Sequence, residues 1–330
     1  MRLEPGLYDD LSFIDYLKIE AMNFHTLKEL DISALHLKHV FDGYRQPSTD
    51  ALRLGRAIHC GVLTPKLFAT DHPVSPGCAA PMKSGARKGL ACGKSARWSE
   101  DGSTFYCGTH AKGDDLLVEF DNVLTEAEGH NIASVVESVL HHPAGACLLK
   151  EGKPEQTIVF ERHGVLCKAR VDWLMDGHFV DLKKLQRGKA DDRSLLQAIV
   201  KYSYYQQLAF YAAAVMSIQG EMPAADLLFC EDAPPYDVTL LPFDEQSLLI
   251  GLAEMDQLLK RYKRHRADGN WPGVFADAIS IETGQVKRGG LPKWYRDEAV
   301  ASGLVAEDTW PTEALRGIDA PPALTGATVR

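Results

Sequence analysis

The stretch "CKARVDWLMDGHFVDLKKL", Cys167 to Leu185, decides how the rest of the chain is read. It reads as two apolar strands around Asp176-Gly177, yet each strand carries an aspartate among its apolar residues. Asp-Gly suits the two central positions of a type I′ hairpin turn, where positive φ is required. With that turn Met175 pairs with His178, and counting outward sets Asp172 opposite Asp181. Alternation along the second strand sends Asp181 and Lys183 to one face.

Upstream, "RHGV" allows another two-residue turn at His163-Gly164. Counting outward from it places Glu155 opposite Asp172. One register thus aligns Glu155, Asp172 and Asp181 across three neighbouring strands, with Lys183 one step away. Like charges directly opposite destabilise a sheet by roughly 0.2–1 kcal/mol per pair. A divalent cation relieves that repulsion, and Mg²⁺ takes oxygen ligands from one or two carboxylates together with waters and phosphates. Lys183 would then hold a scissile phosphate or orient a water. The competing reading is a bulge that shifts the register and turns the acids to solvent.

Outside this hairpin region the sequence predicts a mixed α/β core. One or two amphipathic helices are expected over 8–40. A helix over 48–63, "STDALRLGRAIHCGVL", is expected to be capped by Ser48, and another over 125–143 to stop at Pro143. Strands are expected at 155–161, 165–174 and 178–185, then a long helix over 194–218. Two more strands, "AADLLFCED" and "YDVTLLPF", precede a helix over 243–266 that ends in "KRYKRHR", basic where the macrodipole favours it. Helices before strands, then further helices and strands, indicate one mixed core. The expected divisions are an N-terminal helical part (1–70), a Cys/His insertion (71–115), the core (116–275) and a C-terminal extension with a loose tail (276–330).

The chain has 330 residues, 45% hydrophobic and 25% charged, enough to bury a sizeable core. It has no run of apolar residues long enough to span a membrane, and its start, "MRLEPGLYDDLSF", lacks a signal peptide's basic flank and apolar stretch. A cytoplasmic location is therefore expected. A net charge of -9 argues against broad electrostatic coating of nucleic acid. It leaves room for a nucleic-acid enzyme, because carboxylates that bind cations count as negative until the metal arrives.

Seven cysteines do not suggest a disulfide framework. Cys78, Cys92, Cys107 and His110 are spaced C-x13-C-x14-C-x2-H in a Gly-rich segment poor in aliphatics. Three thiols and an imidazole match the ligands of a structural Zn²⁺, whose binding would supply the folding free energy the segment lacks. A disordered loop with unpaired thiols is the alternative. Lys83, Arg87, Lys88, Lys94 and Arg97 make the segment basic enough to touch phosphates. Cys60, Cys147, Cys167 and Cys230 lie in apolar contexts and read as core residues.

The hairpin residues resemble the PD-(D/E)xK nuclease superfamily, and within it the RecE-type and phage lambda exonuclease-like branch. The resemblance rests on Val171-Asp172, followed nine residues after the aspartate by Asp181-Leu182-Lys183. It is extended by the Gly-x-x-x-His segment Gly55–His59 and the Gln-x-x-x-Tyr pair Gln207–Tyr211. Lys184-Leu185 departs from the two threonines usual after the lysine in that branch. The resemblance covers roughly residues 10–275 apart from the insertion.

It implies a restriction-endonuclease-like core, a mixed central sheet flanked by helices. It also implies a Mg²⁺- or Mn²⁺-dependent deoxyribonuclease, a 5′→3′ exonuclease on linear double-stranded DNA in phage-type recombination or DNA processing. His59, Glu155, Asp172 and Asp181 would hold the metal, Lys183 would act on the water, and Gln207 and Tyr211 would line the site and contact DNA. Toroidal homo-oligomers and a single-strand annealing protein as partner are further implications. An endonuclease or repair nuclease of the same superfamily, or a non-catalytic zinc-containing DNA-binding protein, are the other readings. An iron–sulfur cluster, carried by some superfamily members on four cysteines, differs in layout from the insertion.

Overall fold

A computed structural model of the protein describes residues 1–273 and Ala301; the expected tail over 276–330 lies outside the described residues. The helices are α1 Phe13–Lys18, α2 Phe24–Ile32, α3 Ala34–Phe41, α4 Asp50–Leu63, α5 Pro65–Asp71, α6 Gly108–Ala111, α7 Glu126–His141, α8 Pro143–Leu148, α9 Asp192–Lys201, α10 Tyr204–Gln219 and α11 Glu245–Asp268. The strands are β1 Gly6–Tyr8, β2 Val74–Ser75, β3 Trp98–Ser99, β4 Val118–Glu119, β5 Leu124–Thr125, β6 Lys153–Arg162, β7 Val165–Met175, β8 His178–Leu185, β9 Ala224–Glu231 and β10 Val238–Pro242.

Six strands form one mixed sheet in the order β1-β6-β7-β8-β9-β10. All neighbours are antiparallel except β8 and β9, which run parallel. Parallel neighbours need a long crossover, and α9 and α10 supply it. Both faces are covered. Alternation along β8 sends Phe179 and Leu185 to a core with α2, α3, α10 and α11, and Val180 and Leu182 to a second core under α4 and α7. Burial on both faces explains why β7 and β8 read as nearly continuous apolar runs, against which the aspartates stand out.

Three local expectations are corrected. Gly177 has φ +64° but Asp176 is not in the positive-φ region, so the β7–β8 turn is not type I′. Its two-residue length alone keeps Met175 opposite His178. The β6–β7 turn instead carries the positive φ at both central positions, His163 (+52°) and Gly164 (+69°). Thr49 rather than Ser48 caps α4, its hydroxyl accepting from Leu52 N–H, while Ser48 donates to Asp121. The helix over 194–218 is two helices, α9 and α10, broken at Ser203, whose φ is +58°. The expected helix over 125–143 has a capping box, with Thr125 and Glu128 satisfying each other's backbone N–H. None of the described helices is long and apolar enough to cross a membrane.

Candidate active site

The site begins where the β7–β8 ladder ends. Paired residues run from Met175↔His178 to Trp173↔Val180 and stop one step before Asp172 and Asp181. There the Asp172 side chain takes over the acceptor role, and Leu182 N–H donates to Asp172 Oδ2 at 2.8 Å. The sheet forks at the two aspartates, which satisfies a buried N–H while opening a gap between the strands.

The β6–β7 ladder is interrupted at the same level. Pro154↔Trp173 and Gln156↔Val171 are paired, and Glu155 between them is not. The register is unchanged on both sides, so no residue is inserted. Glu155 instead adopts φ +53°, unusual for a side-chain-bearing residue. Arg170 Nε donates to Glu155 Oε2 at 2.5 Å, and Arg170 also donates to Leu11 O and Thr157 Oγ1. Arg170 lies two residues before Asp172 and is a site residue that the sequence pattern did not single out.

Helix α4 brings in the histidine. Gly55 and His59 are one helical turn apart, and His59 Nδ1 lies 3.5 Å from Asp172 Oδ2. Ligand atoms of His59, Glu155 and Asp172 all fall within 4.8 Å of one another. Asp181 stands beside this cluster, not in it. Its Oδ2 is ion-paired with Lys183 Nζ at 2.5 Å, and among the described residues no other partner reaches it. Gln207 on α10 bridges the pair, accepting from Lys183 Nζ at 3.1 Å and placing Nε2 3.4 Å from Asp181 Oδ1. The same Nε2 donates to the Tyr211 hydroxyl at 3.0 Å, so the i,i+4 pair faces the aspartates together.

Electrostatics follow from enclosure. Burial, reinforced by the Asp181 charge, holds the Asp172 carboxyl well above the usual carboxylate range. Burial pulls the His59 imidazole down, and the Lys183 charge adds to it, so the ring is neutral and free to ligate. Burial also works against the Lys183 ammonium, but Asp181 and Asp172 outweigh it and the net shift is upward. Lys183 is therefore held as a cation. The imidazole of His59 and the carboxylate oxygens of Glu155 and Asp172, with the Lys183-paired Asp181 beside them, suit a divalent cation such as Mg²⁺ or Mn²⁺.

A second ligand-type cluster lies in the insertion. Cys78, Cys92, Cys107 and His110 have ligand atoms within 4.8 Å of one another. Cys78 Sγ and Cys107 Sγ are 3.3 and 3.4 Å from His110 Nδ1, where tetrahedral Zn²⁺ with ordinary bond lengths implies about 3.6 Å. The three thiols are buried and unbridged. Short backbone links assemble them: Cys78 N–H donates to Lys94 O, Gly93 N–H to Cys78 O, and Cys92 N–H to Ala80 O. Of the cysteines expected in the core, Cys167 and Cys230 are fully buried and Cys60 is half-buried, while the Cys147 side chain lies outside the described residues.

Residues 24–281 match the family model described as "PDDEXK-like domain of unknown function (DUF3799)". A crystal structure of a "Putative exonuclease" from Eubacterium rectale superposes with a TM-score of 0.56 at 13% identity, covering 90% of this chain and 99% of that one. At that identity the likeness speaks for the fold alone. An alkaline exonuclease from Laribacter hongkongensis aligns over 34% of this chain and 65% of its own, at 20% identity and a TM-score of 0.17, too low to carry an argument. No curated protein matches the sequence. With most of its length matched by that model and a forked mixed sheet holding the motif residues, the chain belongs to the DUF3799 family of PDDEXK-like domains, and with it to the PD-(D/E)xK nuclease superfamily.

Proposed function

We propose that this chain is a metal-dependent DNA exonuclease that hydrolyses phosphodiester bonds at the ends of linear double-stranded DNA, in the 5′→3′ sense of the RecE-type branch it resembles. The observation that carries the reading is the convergence of His59, Glu155 and Asp172 beside the Asp181–Lys183 pair. A divalent cation such as Mg²⁺ or Mn²⁺ bound there would supply Lewis acidity toward the phosphodiester and help generate the hydrolytic nucleophile. His59, Glu155, Asp172 and Asp181 are the residues that would hold it.

The remaining work falls to residues of this chain. Lys183, kept protonated chiefly by Asp181, offers positive charge to the scissile phosphate and a donor that orients water. A charged ammonium is a poor base, which favours this role over proton abstraction. Gln207 fixes the Lys183 and Asp181 side chains, and Tyr211 fixes Gln207. Arg170 holds the Glu155 carboxylate in place.

The proposal extends to the insertion, where Cys78, Cys92, Cys107 and His110 hold a structural Zn²⁺. Among the described residues that small cluster packs only Ala96, Phe105 and Val123 as further buried apolar residues, too little to fold the segment alone. Metal analysis of protein purified without added zinc should give one Zn²⁺ per chain, and Cys92→Ser should lose it. What supports a ring-shaped homo-oligomer and an annealing-protein partner is the resemblance alone; native mass determination tests the first and co-purification the second.

Linear and closed circular DNA compared in Mg²⁺ and Mn²⁺ test the central reading. Loss of the linear form only, with release of mononucleotides, is the expected result. Cutting of circles would make the enzyme an endonuclease, and binding without cleavage would make the protein a zinc-containing DNA binder.

A further inference from the structure

The break between α9 and α10 has a specific consequence. In an uninterrupted helix, residues two apart point to nearly opposite sides and do not meet. Here Ser203 takes φ +58°, and Tyr202 and Tyr204 stack with ring centroids 5.6 Å apart and planes 30° apart. A left-handed conformation is disfavoured at a residue with a side chain, because Cβ crowds the following carbonyl oxygen. It is held by Ser203 N–H donating to Val200 O, and by Lys28 Nζ reaching across from α2 to Tyr202 O at 3.0 Å. Strain maintained by surrounding contacts is a mark of functional sites.

The stacked pair is continuous with the acidic site. Lys183 Nζ lies 5.0 Å from the centre of the Tyr204 ring and 2.5 Å from Asp181 Oδ2. Tyr202 continues the stack outward with 49% of its surface exposed, and exposed Lys201 lies 5.1 Å from its ring centre. The order Asp181, Lys183, Tyr204, Tyr202, Lys201 runs from the buried carboxylates to solvent. It sets two stacked aromatic rings between two cations, and aromatic rings beside positive charge are the combination that binds single-stranded nucleic acid without reading its sequence.

We infer that Tyr202 and Tyr204 form a stacking platform for an unpaired nucleobase of the strand being cut, so that the site takes a frayed or single-stranded terminus and not paired duplex. This rests on the nuclease reading of the same site. A base within a duplex is stacked on both faces and has none to offer a tyrosine. The end of linear DNA can fray, which makes the platform a source of preference for ends.

The test is binding of fluorescein-labelled oligo(dT) by fluorescence anisotropy, with full-length protein and no added divalent cation, so that nothing is cleaved. Tyr202→Ala is expected to weaken binding by at least about fivefold, the low end for one lost base–aromatic stack. Tyr202→Phe, which keeps the ring, should bind like the wild type. The thermal midpoint and the salt dependence of binding should be unchanged in both variants, because neither the fold nor a phosphate contact is altered.

Equal affinity of Tyr202→Ala and wild type, or no binding by the wild type, would overturn the platform. An equal loss in Tyr202→Ala and Tyr202→Phe would also overturn it, since the hydroxyl and not the ring would then be responsible. The two readings fail separately. Cleavage of linear DNA alongside Tyr202-independent binding removes the platform and leaves the nuclease. Tyr202-dependent binding with no cleavage in any divalent cation supports the platform and removes the nuclease.

Discussion

Leu182 N–H donates to Asp172 Oδ2 across the fork between β7 and β8, so one carboxylate both completes the sheet and faces the candidate metal cluster. These two roles can be separated by mutation. Asparagine keeps an acceptor for Leu182 N–H, whereas alanine leaves a buried donor unpaired at a cost of about 1–3 kcal/mol. Asp172→Asn is expected to fold at least as stably as the metal-free wild type at neutral pH, and to lose both Mn²⁺ binding and nuclease activity. Asp172→Ala should lose these and stability as well. Denaturant unfolding and titration calorimetry check both variants.

The raised Asp172 pKa fixes the sign of a pH effect. Burial and Asp181 favour the protonated carboxyl in the folded chain, so the native state holds a proton that the unfolded state has released. The stability this group contributes is present below the ordinary carboxylate range and is lost as pH rises toward the raised value. A bound cation favours the ionised form and reverses the loss. The gain in thermal midpoint on adding Mg²⁺ should therefore grow with pH above the carboxylate range, and Asp172→Asn should abolish the trend. A gain independent of pH would place the cation elsewhere.

Glu155 sits at φ +53° with its carboxylate held by Arg170, an arrangement that positions an oxygen beside His59 and Asp172. Glu155→Gln preserves size and an acceptor for Arg170 but removes the charge. The metal concentration for half-maximal cleavage should rise by about tenfold or more, the scale on which small changes around a metal site act, with saturated activity falling less. Arg170→Lys loses the planar fork and should give a weaker version of the same pattern.

How legible all this was in the sequence depended on the range of the interaction. Two-residue turns and period-2 alternation are local rules, and they placed Glu155, Asp172 and Asp181 at one level. The β7–β8 turn departs from type I′ at Asp176 without disturbing that level, because loop length sets the register. The fork itself was not readable: continued alternation would have paired Asp172 with Asp181, and only the three-dimensional core decides that Leu182 N–H takes a side chain. Ser203 carries no local break signal, neither Gly nor Pro, so the helix over 194–218 read as continuous. Arg170 has its partner Glu155 on β6, and Arg53 joins Asp50 of its own helix to Glu128 of α7, so in each case a long-range partner completes the pair.

Arg53 provides the last prediction, because it joins the insertion side of the molecule to the helix that carries His59. It is 1% exposed on α4. Its guanidinium binds Glu128 in the capping box of α7 and Asp50 in the first turn of α4, and Asp50 in turn accepts from Arg97 of the insertion at 3.1 Å. Lysine cannot serve both carboxylates with one ammonium. Arg53→Met should cost about 2–3 kcal/mol, less than breaking a fully buried pair because Glu128 and Asp50 keep access to water. Arg53→Met combined with Glu128→Gln should recover part of that loss, the signature of a direct coupling. If the link also positions His59, the metal concentration for half-maximal cleavage should rise in Arg53→Met and not in a control of equal instability, such as Leu258→Ala in the core that covers the opposite face of the sheet.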